Sequence, residues 1–141
     1  MQEQKILCAT DGSSFSDKAV AHAVTWASLL GQSLTFITVV SGSENRFLVW
    51  DEARIGAGDL PVDKPLIVAL ERAMSNGLKR VGCVRAISST ISDAVVTYAE
   101  KNSYHHIIAG SAGRTGTQRL LIGSVAADIV TRAHCPVTIV R

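Results

Sequence analysis

Ile108-Ala109-Gly110-Ser111-Ala112-Gly113, followed after nine further residues by Gly123-Ser124-Val125, is the stretch on which the reading of this chain turns. An apolar strand-like run passes into a glycine-punctuated segment and then into a helix start. Glycines let backbone N–H groups approach an anion closely, and the first turn of a helix carries unpaired N–H groups and a partial positive charge. No acidic residue occurs from Lys101 through Ala127, whereas Arg114 and Arg119 lie inside that stretch. The segment therefore predicts a cradle for phosphate at the carboxyl end of a strand.

Working outward, the same alternation of strand and helix continues in both directions. Lys5 to Thr10 is a short apolar run of buried-strand type, closed by the turn-forming Asp11-Gly12-Ser13-Ser14. Ala19, Ala23, Trp26, Ala27 and Leu30 then recur at helical spacing, with Ser14 or Ser16 as the expected cap and Gly31 as the expected end. Strands are predicted over 34–40, 81–87, 105–110 and 136–140, and helices over 66–78, 91–101 and 124–133. The 41–65 segment breaks the pattern with Gly42, Gly56, Gly58, Pro61 and Pro65, and is predicted to be a long loop although Phe47, Leu48, Val49 and Trp50 sit together within it.

Strands alternating with helices imply right-handed βαβ units and a parallel sheet buried on both faces. The expectation is one α/β domain over residues 1–141. Its core is a single doubly wound, Rossmann-like, five-stranded parallel sheet in the order 3-2-1-4-5 with helices on both faces. Ligands of such sheets bind beyond the carboxyl ends of the strands, where the strand order reverses. In that order the reversal lies between strands one and four, whose ends are Thr10-Asp11 and Ala109-Gly110. Asp11 would accept hydrogen bonds from ribose hydroxyls or a base, and the glycine loop and the helix start at Ser124 would take the phosphates. Taken alone, Asp11 also suits an Asx turn before the first helix, and Ser124 an ordinary cap.

Composition narrows the alternatives. A chain of 141 residues, 47% hydrophobic and 5% aromatic, buries a core without staples and suits close helix–sheet packing. A net charge of +2 with scattered Lys and Arg argues against nucleic acid as a partner. The first apolar run is too short for a signal peptide or membrane span. Cys8, Cys83 and Cys135 show no paired spacing and read as reduced thiols, which fits a cytoplasmic protein without membrane contact. No Walker A pattern, no dinucleotide fingerprint in the first turn and no nucleophile elbow occurs. His105 and His106 would point to opposite faces of a strand, so no metal site built from protein ligands and no catalytic residue is assigned.

The spacing Gly110-x2-Gly113-x9-Gly123-Ser124 resembles the nucleotide-binding signature of the universal stress protein family, in its ATP-binding subclass. Lys5-Ile6-Leu7 leading to Asp11-Gly12-Ser13, Leu121-Ile122-Gly123-Ser124-Val125-Ala126 and Cys135-Pro136-Val137 extend the resemblance over the whole chain. It implies that Ala9, Thr10, Asp11 and Val39 meet the nucleoside and that Ala109 and Gly110 lie beside the ribose. It implies further that Gly113, Arg114, Gly123, Ser124 and Val125 hold the phosphates. ATP carrying Mg2+ or Mn2+ on its phosphates, and a homodimer formed through the last strand, are likewise implied. Ala109 replaces a frequent Met, Thr38 a frequent His, and Ser89-Thr90-Ile91 a common Gly-Asp-Pro. The expected function is a cytoplasmic, nucleotide-dependent stress-response switch that orders the 41–65 loop and hydrolyses ATP slowly at most. An ATPase or phosphotransferase, and a nucleotide-free interaction module of the same fold, are the alternatives.

Overall fold

Ile6, Leu7 and Cys8 are completely buried although they are consecutive. Successive strand side chains point to opposite faces, so this burial requires a strand covered on both sides. The computed structural model describes residues 3–112 and 122–141, and it places this strand, β1 (Lys5–Ala9), inside a six-stranded sheet. The other strands are β2 (Ser33–Ser41), β3 (Arg46–Trp50), β4 (Val81–Ser88), β5 (His106–Gly110) and β6 (Val137–Val140). The sheet order is β3-β4-β2-β1-β5-β6, and every pairing is parallel except β3 with β4.

The helices are α1 (Ser14–Leu30), α2 (Glu52–Gly56), α3 (Lys64–Ser75), α4 (Ile91–Lys101) and α5 (Ser124–Arg132). On one face of the sheet, Ala19, Ala23 and Ala27 of α1 and Leu66, Ala69 and Leu70 of α3 pack on Ile6, Cys8, Phe36 and Ile108. On the other face, Val95 and Ala99 of α4 and Ile129 of α5 pack on Leu7, Ile37, Val84 and Ile107. Alanines on α1 let the helix lie close to the sheet, and Phe36 fills the resulting layer. Removal of such a fully buried aromatic side chain typically costs about 3–5 kcal/mol. Burial raises the thiol pKa of Cys8, and of Cys83 to about 12, so both stay protonated packing residues. All three cysteines are free.

Two expectations are corrected. The five parallel strands appear in the expected order, but a sixth, antiparallel strand flanks them. Residues 41–65 are not a long loop: β3 pairs with β4 from Arg46 opposite Ile87 to Trp50 opposite Cys83, and α2 follows. The connection from β2 passes over the end of β4, and Gly42 permits it. A Cβ there would stand 2.5 Å from the Ile87 Cγ2 methyl. Second, the cap of α1 is Ser13, whose hydroxyl accepts from the Ser16 N–H, rather than Ser14 or Ser16. Gly31 ends α1 at φ 66°, as a left-handed terminus requires.

At the β5–β6 edge, Trp26 of α1 meets the His106 ring edge-on with centroids 5.0 Å apart, and His106 Nε2 lies 2.7 Å from Thr138 Oγ1. Burial, with a smaller contribution from His22, lowers the His106 pKa below its ordinary 6.5. In acid the unfolded chain therefore binds this proton before the folded one does, and stability falls as pH drops below that ordinary value. Urea midpoints should decline between about pH 7 and pH 5, and His106→Asn should flatten the decline. Equal slopes for the two proteins would contradict this role.

Candidate functional site

The turn between β1 and α1 is built from hydroxyls. Gly12 takes φ 81°, and the Ser13 N–H donates to Asp11 Oδ1 at 2.9 Å, closing an Asx turn. The buried Ser16 hydroxyl accepts from Thr10 Oγ1 at 3.2 Å and from the Asp11 N–H at 3.3 Å. The Thr10 N–H donates to the Ile37 carbonyl at 2.9 Å, which ties the end of β1 to β2. Asp11 is thus held at a fixed point beyond the strand end.

Next to it, β5 ends at Gly110. A Cβ at this position would lie 2.8 Å from both the carbonyl carbon and the oxygen of Phe15, and 3.1 Å from Ser16 N. Only a residue without a side chain allows β5 to meet the start of α1 so closely. Ser111 then bridges two elements: its N–H donates to the Val140 carbonyl at 2.9 Å, and its carbonyl accepts from the Gly123 N–H at 2.7 Å. That bond brings Gly123, the cap residue of α5, beside the end of β5. The cap has no side-chain hydrogen bond, and the first-turn amides of a helix have no partner within the helix.

These elements enclose a cavity of about 770 Å3 at the carboxyl ends of β1, β2 and β5. Ala9, Thr10, Asp11, Val39, Ala109, Gly110, Gly123, Ser124 and Val125 all line it. Of the expected site residues, Gly113 and Arg114 lie outside the described residues. Sequence reasoning missed Ser16, Thr38, Ser41, Asp63, Pro65, Ile91 and Val95, which also line the cavity. Thr38 and Ser41 continue β2 past Val39. Asp63-Lys64-Pro65 is a recognisable helix start with Pro in the first turn, and that signal marks the position of Asp63.

Charge is unevenly distributed around the cavity. Among the described lining residues, Asp11 and Asp63 carry the only ionisable side chains. Asp63 caps α3 without a side-chain cap bond, because its carboxylate is taken by Arg85 of β4. Arg85 Nε donates to Oδ1 and Oδ2 at 3.1 and 2.9 Å, and Nη2 donates to Oδ1 at 2.7 Å. These bonds, more than the charge attraction alone, hold the Asp63 pKa below its ordinary 3.8 against the opposing effect of burial. Arg85 also lies over the Trp50 ring, 5.3 Å from its centroid. No group of three His, Cys, Asp or Glu side chains among the described residues is arranged to hold a metal ion. No described helix is long and apolar enough to cross a membrane.

The universal stress protein family model matches residues 3–141. This chain belongs to that family. A universal stress protein of Methanocaldococcus jannaschii is 30% identical, with 98% of this chain and 82% of the relative covered. One of Mycobacterium tuberculosis is 29% identical over 99% of this chain, which spans 48% of that relative's length. Among solved structures, a universal stress protein in complex with cAMP is 25% identical with a TM-score of 0.73, covering 98% of this chain and 97% of that one. The universal stress protein from Archaeoglobus fulgidus in complex with dAMP shares the fold, at 20% identity and a TM-score of 0.69, covering 99% and 98%.

The contact between Gly110 and Phe15 yields a stability prediction. Gly110→Ala forces backbone to move against backbone and should destabilise the fold by about 1–3 kcal/mol. Gly56→Ala, where nothing lies within 4 Å of the added carbon, should be neutral or slightly stabilising. Denaturant unfolding of both variants checks the contrast, and equal stabilities would contradict the described closeness.

Proposed function

We propose that residues 1–141 of this universal stress protein form one nucleotide-binding domain whose ligand is an adenine nucleotide, ATP in the working state. The observation that carries this reading is the single cavity onto which Asp11, Gly110 and the amide-bearing start of α5 converge. Its volume lies in the range of small-molecule and cofactor sites. The missing side chains at Gly110 and Gly123 let the end of β5 close on the start of α1 and the start of α5 close on Ser111, which brings the walls of the cavity together. A Cβ at Gly123 would stand 3.2 Å from the Ser111 carbonyl oxygen, at the mouth of the helix start. Relatives of the same fold described in complex with cAMP and with dAMP support an adenine-bearing ligand.

In this reading Asp11 accepts from the ribose hydroxyls, Val39 and Ala9 flank the base, and Ala109 and Gly110 face the sugar. Ser124 and Val125 donate backbone N–H groups to phosphate, Gly123 holds that helix start beside the end of β5 through its own N–H bond to Ser111, and Gly113 and Arg114 complete the loop. Mg2+ or Mn2+ would be held chiefly by the phosphates, since such ions need only one or two protein carboxylates when a polyphosphate is present. Bound nucleotide supplies charge and hydrogen-bonding groups that tie β1, β5 and α5 together. Occupancy acts as a switch to the extent that the nucleotide favours one conformation over another. The β3–α2 segment, already paired to β4, is not the element that orders. We further propose a cytoplasmic homodimer formed along β6, whose residues are all half-buried at a sheet edge.

Calorimetric titration tests the binding. The protein should saturate with ATP in the presence of Mg2+, and Gly123→Val should weaken binding about tenfold or more, a loss of roughly 1.4 kcal/mol, while thermal unfolding shows the variant folded. Absence of saturation at millimolar ATP, or unchanged affinity in the variant, would defeat the proposal.

A further inference from the structure

We infer that Asp63 reads the 6-position of the purine, so that the cavity accepts a 6-amino purine and rejects a 6-oxo purine. The inference rests on the nucleotide-binding reading and adds a specificity-determining residue to it. Asp63 lines the same cavity as Val39, yet it belongs to the opposite side from α5. Its anchor Arg85 sits on β4, paired with Thr38 of β2, while α5 begins beside the end of β5. In the order β4-β2-β1-β5, the steps from β5 to β2 span roughly 10 Å, about two strand spacings. A ligand with phosphate at α5 and ribose at Asp11 therefore presents its base toward β2 and Asp63. The reverse orientation would set phosphate against the Asp63 carboxylate, which like-charge repulsion disfavours.

The chemistry of Asp63 fits that position. Its side chain is only 10% exposed and it is ion-paired, so it is a fixed, negatively charged acceptor in the cavity wall. A carboxylate offers about four lone-pair sites; Arg85 takes two positions at Oδ1 and shares Nε with Oδ2, which leaves Oδ2 with acceptor capacity. An exocyclic amino group donates to such an oxygen. A carbonyl at the same ring position presents lone pairs to a carboxylate and is repelled. Arg85 is itself packed over Trp50 of β3, so the carboxylate is held by two elements and does not swing away. The capping role that Asp63 would ordinarily have at α3 is unused.

The test compares ATP, ITP and purine riboside 5′-triphosphate, which has hydrogen at the 6-position, by calorimetric titration. Wild type should bind ATP about tenfold or more tightly than ITP, the size expected for one hydrogen bond to a charged acceptor, with the 6-hydrogen analogue in between. In Asp63→Asn the amide also donates, and the ATP-to-ITP ratio should fall toward unity. The double variant Asp63→Asn/Arg85→Gln replaces the ion pair with a neutral amide pair and gives the same reading if the single variant does not fold. Because the ratio is taken within one protein, a general loss of stability does not move it. Equal affinities for ATP and ITP in wild type, or an unchanged ratio in the variants, would overturn the role of Asp63 while leaving nucleotide binding intact. Failure of wild type to bind any of the three would instead overturn the reading on which it rests.

Discussion

The end of β5 can touch the start of α1 only because residue 110 has no side chain. Phe15 carbonyl atoms occupy the space where a Cβ would stand, and this contact sets how β1, α1 and β5 meet at one end of the sheet. The positions of Asp11, fixed by the Ser13 N–H and the Ser16 hydroxyl, and of Gly123, fixed by the Ser111 carbonyl, both follow from it. The cavity exists where these three strand and helix ends fail to fill the space among them. Close packing elsewhere, with alanines of α1 against Ile6 and Cys8, makes that gap a feature of the backbone rather than of mobile side chains.

The polarity of the cavity follows from the same architecture. At one end, α5 offers backbone amides capped by a glycine; at the other, Asp63 offers a carboxylate neutralised on its far side by Arg85. A parallel sheet places all its carboxyl strand ends on one side, so ligand-facing groups from β1, β2 and β5 collect there without needing to be near in sequence. The antiparallel β3 adds to this by carrying Trp50, on which Arg85 rests. Through Arg85, a strand at the edge of the sheet steadies a side chain in the cavity.

Much of this was legible in the residues. Helix α4 runs over the interval its apolar spacing indicates, and the order of the five parallel strands agrees with that expected of a doubly wound sheet. Strand β3 was harder to read because its partner, β4, lies more than thirty residues further on. The run Phe47 to Trp50 had the composition of a strand but no adjacent hairpin turn to declare a neighbour. Asp63 falls in the 41–65 segment expected to be a loop and was not singled out, since its burial and ion pair depend on Arg85, 22 residues away. Gly110 was expected to open backbone to phosphate, and its packing against Phe15 is a second reason for glycine that spacing alone does not express.

The most direct test of the central claim is amide chemical-shift mapping during titration with AMP. The account predicts saturable shifts that cluster at Thr10, Asp11, Val39, Ala109, Gly110, Ser124 and Val125, on four separate chain segments that share one cavity. Shifts confined to the opposite end of the sheet, around Trp50, Tyr98 and Tyr104, or no saturable shifts, would contradict it.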